Sequence, residues 1–322
     1  MAEGLAAVDW RRVGLFYGIA FGGAVLVALV IFGAREVLGE AGAVIGMALT
    51  AVFYMTLPLV AALVVERVAR RPMLIGAEWR ALRSRFWRTY GRNALVAVLA
   101  LVAVLAVSLA IAWLAGLVGI PGAGRLIASD AELVQQMQQI NPAIPAAAVP
   151  GIAILVAITL VQGTIAGLTI NGLFAFGEEY GWRGVLADLL RPLGRVRATA
   201  LTGVLWGLWH APIIVLGHNY GVDWGWGILV MVTWTVPFSF VLTWTRDRTG
   251  SVLAPAMLHG LFNAMVGLFT FLIIGGNRLV SLPVGLLMAL ALTVVAAVVW
   301  RLPAGGRAPA AVEAEPAVTG SR

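Results

Sequence analysis

Long apolar stretches recur along the whole chain, separated by short breaks rich in Arg, Gly or Pro. Eight of them, near 13–33, 43–65, 94–118, 150–176, 198–217, 225–245, 251–274 and 281–300, approach or exceed the ~20 residues a helix needs to cross a ~30 Å hydrocarbon core. Membrane-spanning strands would be about half as long and would alternate in polarity. The pattern therefore predicts an all-α, polytopic membrane helix bundle of about eight spans. The first stretch follows Arg11 and Arg12 and outruns the ~7–15 apolar residues of a signal-peptide core, so a retained anchor is expected there.

Composition agrees. Of 322 residues, 61% are hydrophobic and 11% charged, against about 45–50% and 25% in a soluble domain. No Cys is present, which removes disulfides, thiol nucleophiles and Cys-ligated metals. All 22 basic residues are Arg and the net charge is +7. Such a charge could suggest nucleic acid, but its distribution argues for a topological role instead. With the N-terminus inside, segments 1–12, 66–93, 177–197, 246–250 and 301–322 hold 19 Arg, and only Arg35, Arg125 and Arg278 fall on the other side. That asymmetry predicts an N-in, C-in arrangement. A bacterial inner membrane is the expected location, and no nucleic-acid partner is expected.

Four regions follow: three spans with a basic cytoplasmic segment over 1–149, a core over 150–280, a last span over 281–300 and a disordered tail over 301–322. Within the first, residues 66–93 interleave eight Arg with Trp79, Phe86, Trp87 and Tyr90, as an amphipathic helix on anionic lipid would. Residues 119–149 face outward, with a short helix expected over Glu132–Ile140.

A charged side chain at mid-span costs at least ~2.5–3.5 kcal/mol, so each one is a functional candidate. Glu178, Glu179, His210 and His259 are the prominent cases, with Asn263 on the face of His259. On a helix Glu179 and Arg183 are i,i+4 neighbours and can pair, while Glu178 is rotated by about 100° and points elsewhere. Glu178 lies 13 residues from Arg191, His210 13 from Arg197 and His259 11 from Arg248. At ~1.5 Å per residue all three reach a depth of roughly 16–20 Å, so one shared site is expected. Burying the acidic pair requires the fourth span to extend, tilt or break, with Gly172 or Gly177 as the candidate break points.

In order, Glu178-Glu179-Tyr180-Gly181-Trp182-Arg183, then Trp206-Gly207-Leu208-Trp209-His210, then His259-Gly260-Leu261-Phe262-Asn263 resemble the motifs of the CAAX-protease and bacteriocin-processing family of intramembrane endopeptidases. This family includes the type II prenyl endopeptidases. The resemblance covers roughly residues 171–265. Trp206 stands where many members have Phe. The resemblance implies that Glu178 activates the attacking water with His210 as its partner. It implies too that His259 and Asn263 donate to the oxyanion, and that Glu179 and Arg183 hold the acidic helix in place. The substrate would be a membrane-associated protein or peptide; the Lys-free, Ala- and Gly-rich composition argues against prenyl processing. Glu178, His210 and His259 could alternatively form a His2Glu zinc set; the metal-free reading is preferred because an amide at 263 suits an oxyanion better than Zn²⁺. No His-Glu-x-x-His helix, Gly-x-Ser-x-Gly turn or intramembrane Asp pair occurs. Two other readings compete: a non-proteolytic immunity or scaffold protein, and a proton-coupled transporter. The second is disfavoured because the ionisable groups lie in one half of the chain, without matched repeats.

Overall fold

The computed structural model describes residues 7–70 and 72–302, so the tail expected to be disordered lies almost wholly outside the described residues. Fourteen α-helices occur among them: α1 (Trp10–Leu38), α2 (Glu40–Leu49), α3 (Leu57–Val68), α4 (Leu74–Ser84), α5 (Phe86–Val118), α6 (Asp130–Ile140), α7 (Ile152–Leu168), α8 (Ile170–Glu179), α9 (Ala187–Leu190), α10 (Arg195–Trp209), α11 (Ala211–Val215), α12 (Trp224–Thr249), α13 (Leu253–Leu272) and α14 (Leu286–Val299). Two stretches wind as π-helix, Thr50–Tyr54 and Tyr180–Leu186, the latter joining α8 to α9. The only sheet among the described residues is a two-residue antiparallel pair, Arg125–Leu126 with Ile273–Ile274.

The molecule is the membrane helix bundle that the apolar pattern predicts. Six helices are long and apolar enough to cross a bilayer, or seven if the bent pair Ile152–Leu168 and Ile170–Leu193 makes one span. The last apolar helix, α14, has only 14 residues. Eight full crossings, the number the sequence suggests, is thus one more than helix lengths support.

Connections sort to two ends of the bundle. At the arginine-rich end, Glu78 accepts from the Ser251 hydroxyl at 2.6 Å, Arg195 pairs with Asp247 at 2.7 Å and Arg246 with Asp188 at 3.3 Å. Arg92 donates there to the Thr249 carbonyl, and the Arg195 guanidinium lies over the Trp300 ring. At the opposite end Arg35 donates to the Leu216 carbonyl, Ile127 to the Leu272 carbonyl and Asn277 to the Gly122 carbonyl.

Small residues set how closely the central helices approach. Gly203 and Gly207 are one turn apart on α10. A Cβ at Gly203 would lie 2.7 Å from Val236 Cα, and one at Gly207 2.5 Å from the Thr235 hydroxyl. This is the small-xxx-small contact by which membrane helices pack backbone to backbone. Gly260 on α13 sits likewise on the backbone of Gly172 and Gly167.

The fourth span does break, but not at the glycines expected. The break falls at Thr169 (φ −113°, ψ −94°), where α7 and α8 meet at 48°. Gly172 and Gly177 lie inside α8, and their missing side chains serve close contact: a Cβ on Gly177 would meet the Met55 carbonyl at 2.9 Å. At the break, the Leu168 carbonyl accepts the Tyr90 hydroxyl at 2.8 Å. That bond gives the carbonyl freed at the break a partner in place of a helical one.

Candidate active site

Helix α8 runs directly into the π-helical turn Tyr180–Leu186, and Glu178 and Glu179 are its last two residues. π-bulges often mark functional sites, because one extra residue re-aims the side chains around it. Here every residue from Gly177 to Leu186 is buried. The two adjacent carboxylates therefore cannot share one partner, and they diverge.

Glu179 Oε1 receives the Arg183 guanidinium at 3.0 Å and lies 2.9 Å from His259 Nδ1. Arg183 also donates to the Ser239 hydroxyl at 2.7 Å, tying the π segment to α12. All three side chains are essentially inaccessible. A buried charge needs its counter-charge and further hydrogen bonds to be tolerated; this cluster supplies them through Glu179 Oε1 and the two terminal nitrogens of Arg183, leaving Glu179 Oε2 and Arg183 Nε without a protein partner.

Glu178 is oriented separately. Its Oε2 accepts the indole N–H of Trp206 at 2.8 Å. Trp206 is the hub of the site: the Arg183 guanidinium lies 4.4 Å above its ring, and the His210 and His259 rings approach with centroids 5.6 and 5.3 Å away. Aromatic rings at such separations and steep angles present a positive edge to a negative face. Phe238 and Trp234 close the far side.

His210 follows the last residue of α10. Pro212 cannot donate a helical hydrogen bond, so α10 ends and α11 begins here. The ring is aimed by its own turn, with Nδ1 2.8 Å from the Trp206 carbonyl. The Trp209 carbonyl accepts the Tyr54 hydroxyl at 2.6 Å, from the other π-helical stretch. His259 projects from the middle of α13, and Asn263, one turn further along, is exposed.

Side chains from α8, the π turn, α10 and α13 thus surround one indole. Protein hydrogen bonds engage the Nδ1 atoms of both imidazoles and one oxygen of Glu178. No protein bond is made by Glu178 Oε1 or by either Nε2 among the described residues. A zinc set would need Glu178, His210 and His259 gathered round one point, yet no group of three His, Asp or Glu side chains among the described residues is so placed.

Sequence reasoning left two features of this region unread. The first is Trp206, noted only as standing where many family members have Phe; its indole N–H, which Phe lacks, is the available signal. The second is the pair Glu66 and Glu78, assigned to a basic surface segment. Both are buried, and both accept two hydrogen bonds from protein donors. Helical spacing of Leu74, Glu78 and Leu82 is the signal that could have placed Glu78 inward.

Comparisons with known proteins converge on the same stretch. Residues 160–265 match the family model described as type II CAAX prenyl endopeptidase Rce1-like. A CAAX prenyl protease 2 of Methanococcus maripaludis is 29% identical over 96 residues, which are 27% of this chain and 34% of that protein. The chain therefore aligns with about a third of this relative's length. The segment holding Glu178, Glu179, Arg183, His210, His259 and Asn263 is thus similar to the type II CAAX prenyl endopeptidases of the Rce1-like family and is set within a polytopic membrane helix bundle.

Proposed function

We propose that this protein is an intramembrane endopeptidase that hydrolyses a peptide bond of a membrane-associated protein or peptide. The observation that carries the reading is the separation of roles between two adjacent buried acids. Glu179 is committed through Oε1 to the Arg183 guanidinium and the His259 ring, whereas Glu178 is held by a single neutral donor, the Trp206 indole.

In this reading Glu178 takes a proton from water, and the resulting hydroxide attacks the scissile carbonyl. Proton transfer by a positioned side chain contributes about 10²–10⁴-fold. His210, aimed by the Trp206 carbonyl, presents Nε2 as the partner that shuttles the proton to the leaving amine. His259 Nε2 and the Asn263 amide donate to the oxyanion. Their worth is greatest where water is scarce, because donors fixed in advance need not reorganise. Glu179 fixes the His259 ring through Nδ1, a second carboxylate in a supporting role. No metal enters the scheme.

The inner-membrane location and the N-in, C-in orientation belong to the same proposal, as does contact of segment 66–93 with anionic lipid. The test is a reconstituted assay on a panel of membrane-anchored peptides, prenylated and not. Cleavage should survive thorough chelation and vanish in Glu178→Gln. Cleavage by Glu178→Gln at the wild-type rate would end the assignment, and loss on chelation with recovery on added zinc would end the metal-free scheme.

A further inference from the structure

Two carboxylates outside the catalytic cluster, Glu66 and Glu78, are buried where the sequence pattern calls for solvent. Each joins α4 to an element that bears a site residue. Glu66 Oε1 accepts the Leu74 N–H at 2.9 Å, at the start of α4, and its Oε2 accepts the Tyr180 hydroxyl at 2.7 Å. The same hydroxyl accepts the Ile75 N–H at 3.0 Å. Tyr180 directly follows Glu179 and opens the π turn. On the other side, Glu78 Oε1 accepts the Val252 N–H at 3.0 Å and Oε2 the Ser251 hydroxyl at 2.6 Å. Val252 is the N-cap of α13, seven residues before His259.

The opposite face of α4 is built differently. Leu74, Glu78 and Leu82 share the inward side, and Arg80 and Arg83 point away at 100° per residue. Arg80, Arg83, Arg85 and Arg88 are exposed together with Trp79 and Trp87. Cations interleaved with interfacial aromatics complement an anionic lipid surface, to which each Arg adds about fivefold in affinity.

We propose that α4 is an anionic-lipid seat whose occupancy is transmitted to the site through Glu66–Tyr180 and Glu78. Glu66, Glu78 and Tyr180 are positioning residues. They touch no reacting atom; they hold the ends of the π turn and of α13, and so the placement of Glu179 and His259. Seating α4 on lipid orders both ends. The consequence for catalysis rests on the protease reading above; the coupling itself does not.

The experiment is amide hydrogen exchange of residues 251–256 in full-length protein, reconstituted in vesicles of phosphatidylcholine alone or with phosphatidylglycerol. Wild type should exchange at least about fivefold more slowly with the anionic lipid, the size of an ordinary allosteric coupling. Arg80→Gln/Arg83→Gln, which leaves the buried face intact, should lose this response and bind anionic vesicles about twenty-five-fold more weakly. Glu78→Gln should still bind the vesicles yet show no slowing. Cleavage, where a substrate is in hand, should rise with phosphatidylglycerol in wild type and stay flat in Glu78→Gln. A lipid-dependent exchange response without cleavage of any peptide would uphold the coupling and count against the protease. Exchange in wild type that ignores lipid charge, or a response kept by the double Arg variant, overturns the proposal. A response to soluble polyglutamate but not to vesicles overturns the lipid assignment.

Discussion

Glu178 and Glu179 are neighbours in sequence with different partners, and the difference is chemical as well as geometric. Removing the Arg from the buried Glu179–Arg183–His259 cluster leaves an uncompensated charge, which costs about 3–5 kcal/mol. Arg183→Ala should therefore unfold at a clearly lower temperature in detergent melts; an unchanged melt would show that the cluster does not clamp α8. Trp206→Phe keeps an aromatic ring but loses the pyrrole half of the indole and with it the donor to Glu178. The expected result is a cost of about 1–3 kcal/mol in stability, together with a lower kcat. Wild-type stability and turnover in that variant would deny the indole its orienting role. The pairing of Glu179 with Arg183 was legible in the spacing, because i,i+4 contact is local. The bond from Trp206 to Glu178 was not, because it joins residues 28 apart in sequence.

Among the elements, the interruptions matter more than the spans. Apolar length alone located every helix long enough to cross, since hydrocarbon thickness sets a single scale, but it also counted the stretch of α14, whose 14 residues fall short. Depth required the fourth span to extend, tilt or break; it breaks, at Thr169 rather than at Gly172 or Gly177. Glycine makes a bend possible, yet the bend forms where tertiary partners satisfy the freed carbonyl, and Tyr90 does so at Leu168. The glycines instead allow contact. A Cβ at Gly260 would sit 2.5 Å from the Gly167 carbonyl oxygen and 2.6 Å from Gly172 Cα, with no flexible side chain to yield. Gly260→Ala should thus push α13 from α8, costing at least about 1–3 kcal/mol and displacing His259. Normal melting and activity in Gly260→Ala would refute the tight crossing. At the end remote from the Arg cluster, the bond from Arg125 to Glu132, aided by the Ala128 N–H, holds the Glu132 carboxyl down to about 2. Its folded value is depressed, so the clip is intact above the ordinary glutamate value and weakens as pH falls from about 4.5 through 2. Protection of the Ala128 amide against exchange should follow that window; loss already at neutral pH would contradict it.

Across the whole molecule, charge and polarity perform separate tasks. Arginine gathers at one end of the bundle, where Asp188, Asp247 and the helix-end carbonyls meet it. The intramembrane acids and imidazoles gather instead about Trp206. The first distribution could be read by counting Arg in loops; the second needed depth, and depth needed only a 1.5 Å rise per residue. What counting missed were Glu66 and Glu78, whose burial follows from the packing of α4 and not from their local composition. The assignment as a protease stands on Glu178 doing chemistry that its neighbour cannot. Quantitative profiling of peptide termini in membranes from cells making either wild type or Glu178→Gln, at matched levels of inserted protein, tests this most directly. New termini that appear with wild type and are absent with the variant are the predicted result; identical profiles, with both proteins folded and a true substrate present, would contradict the account.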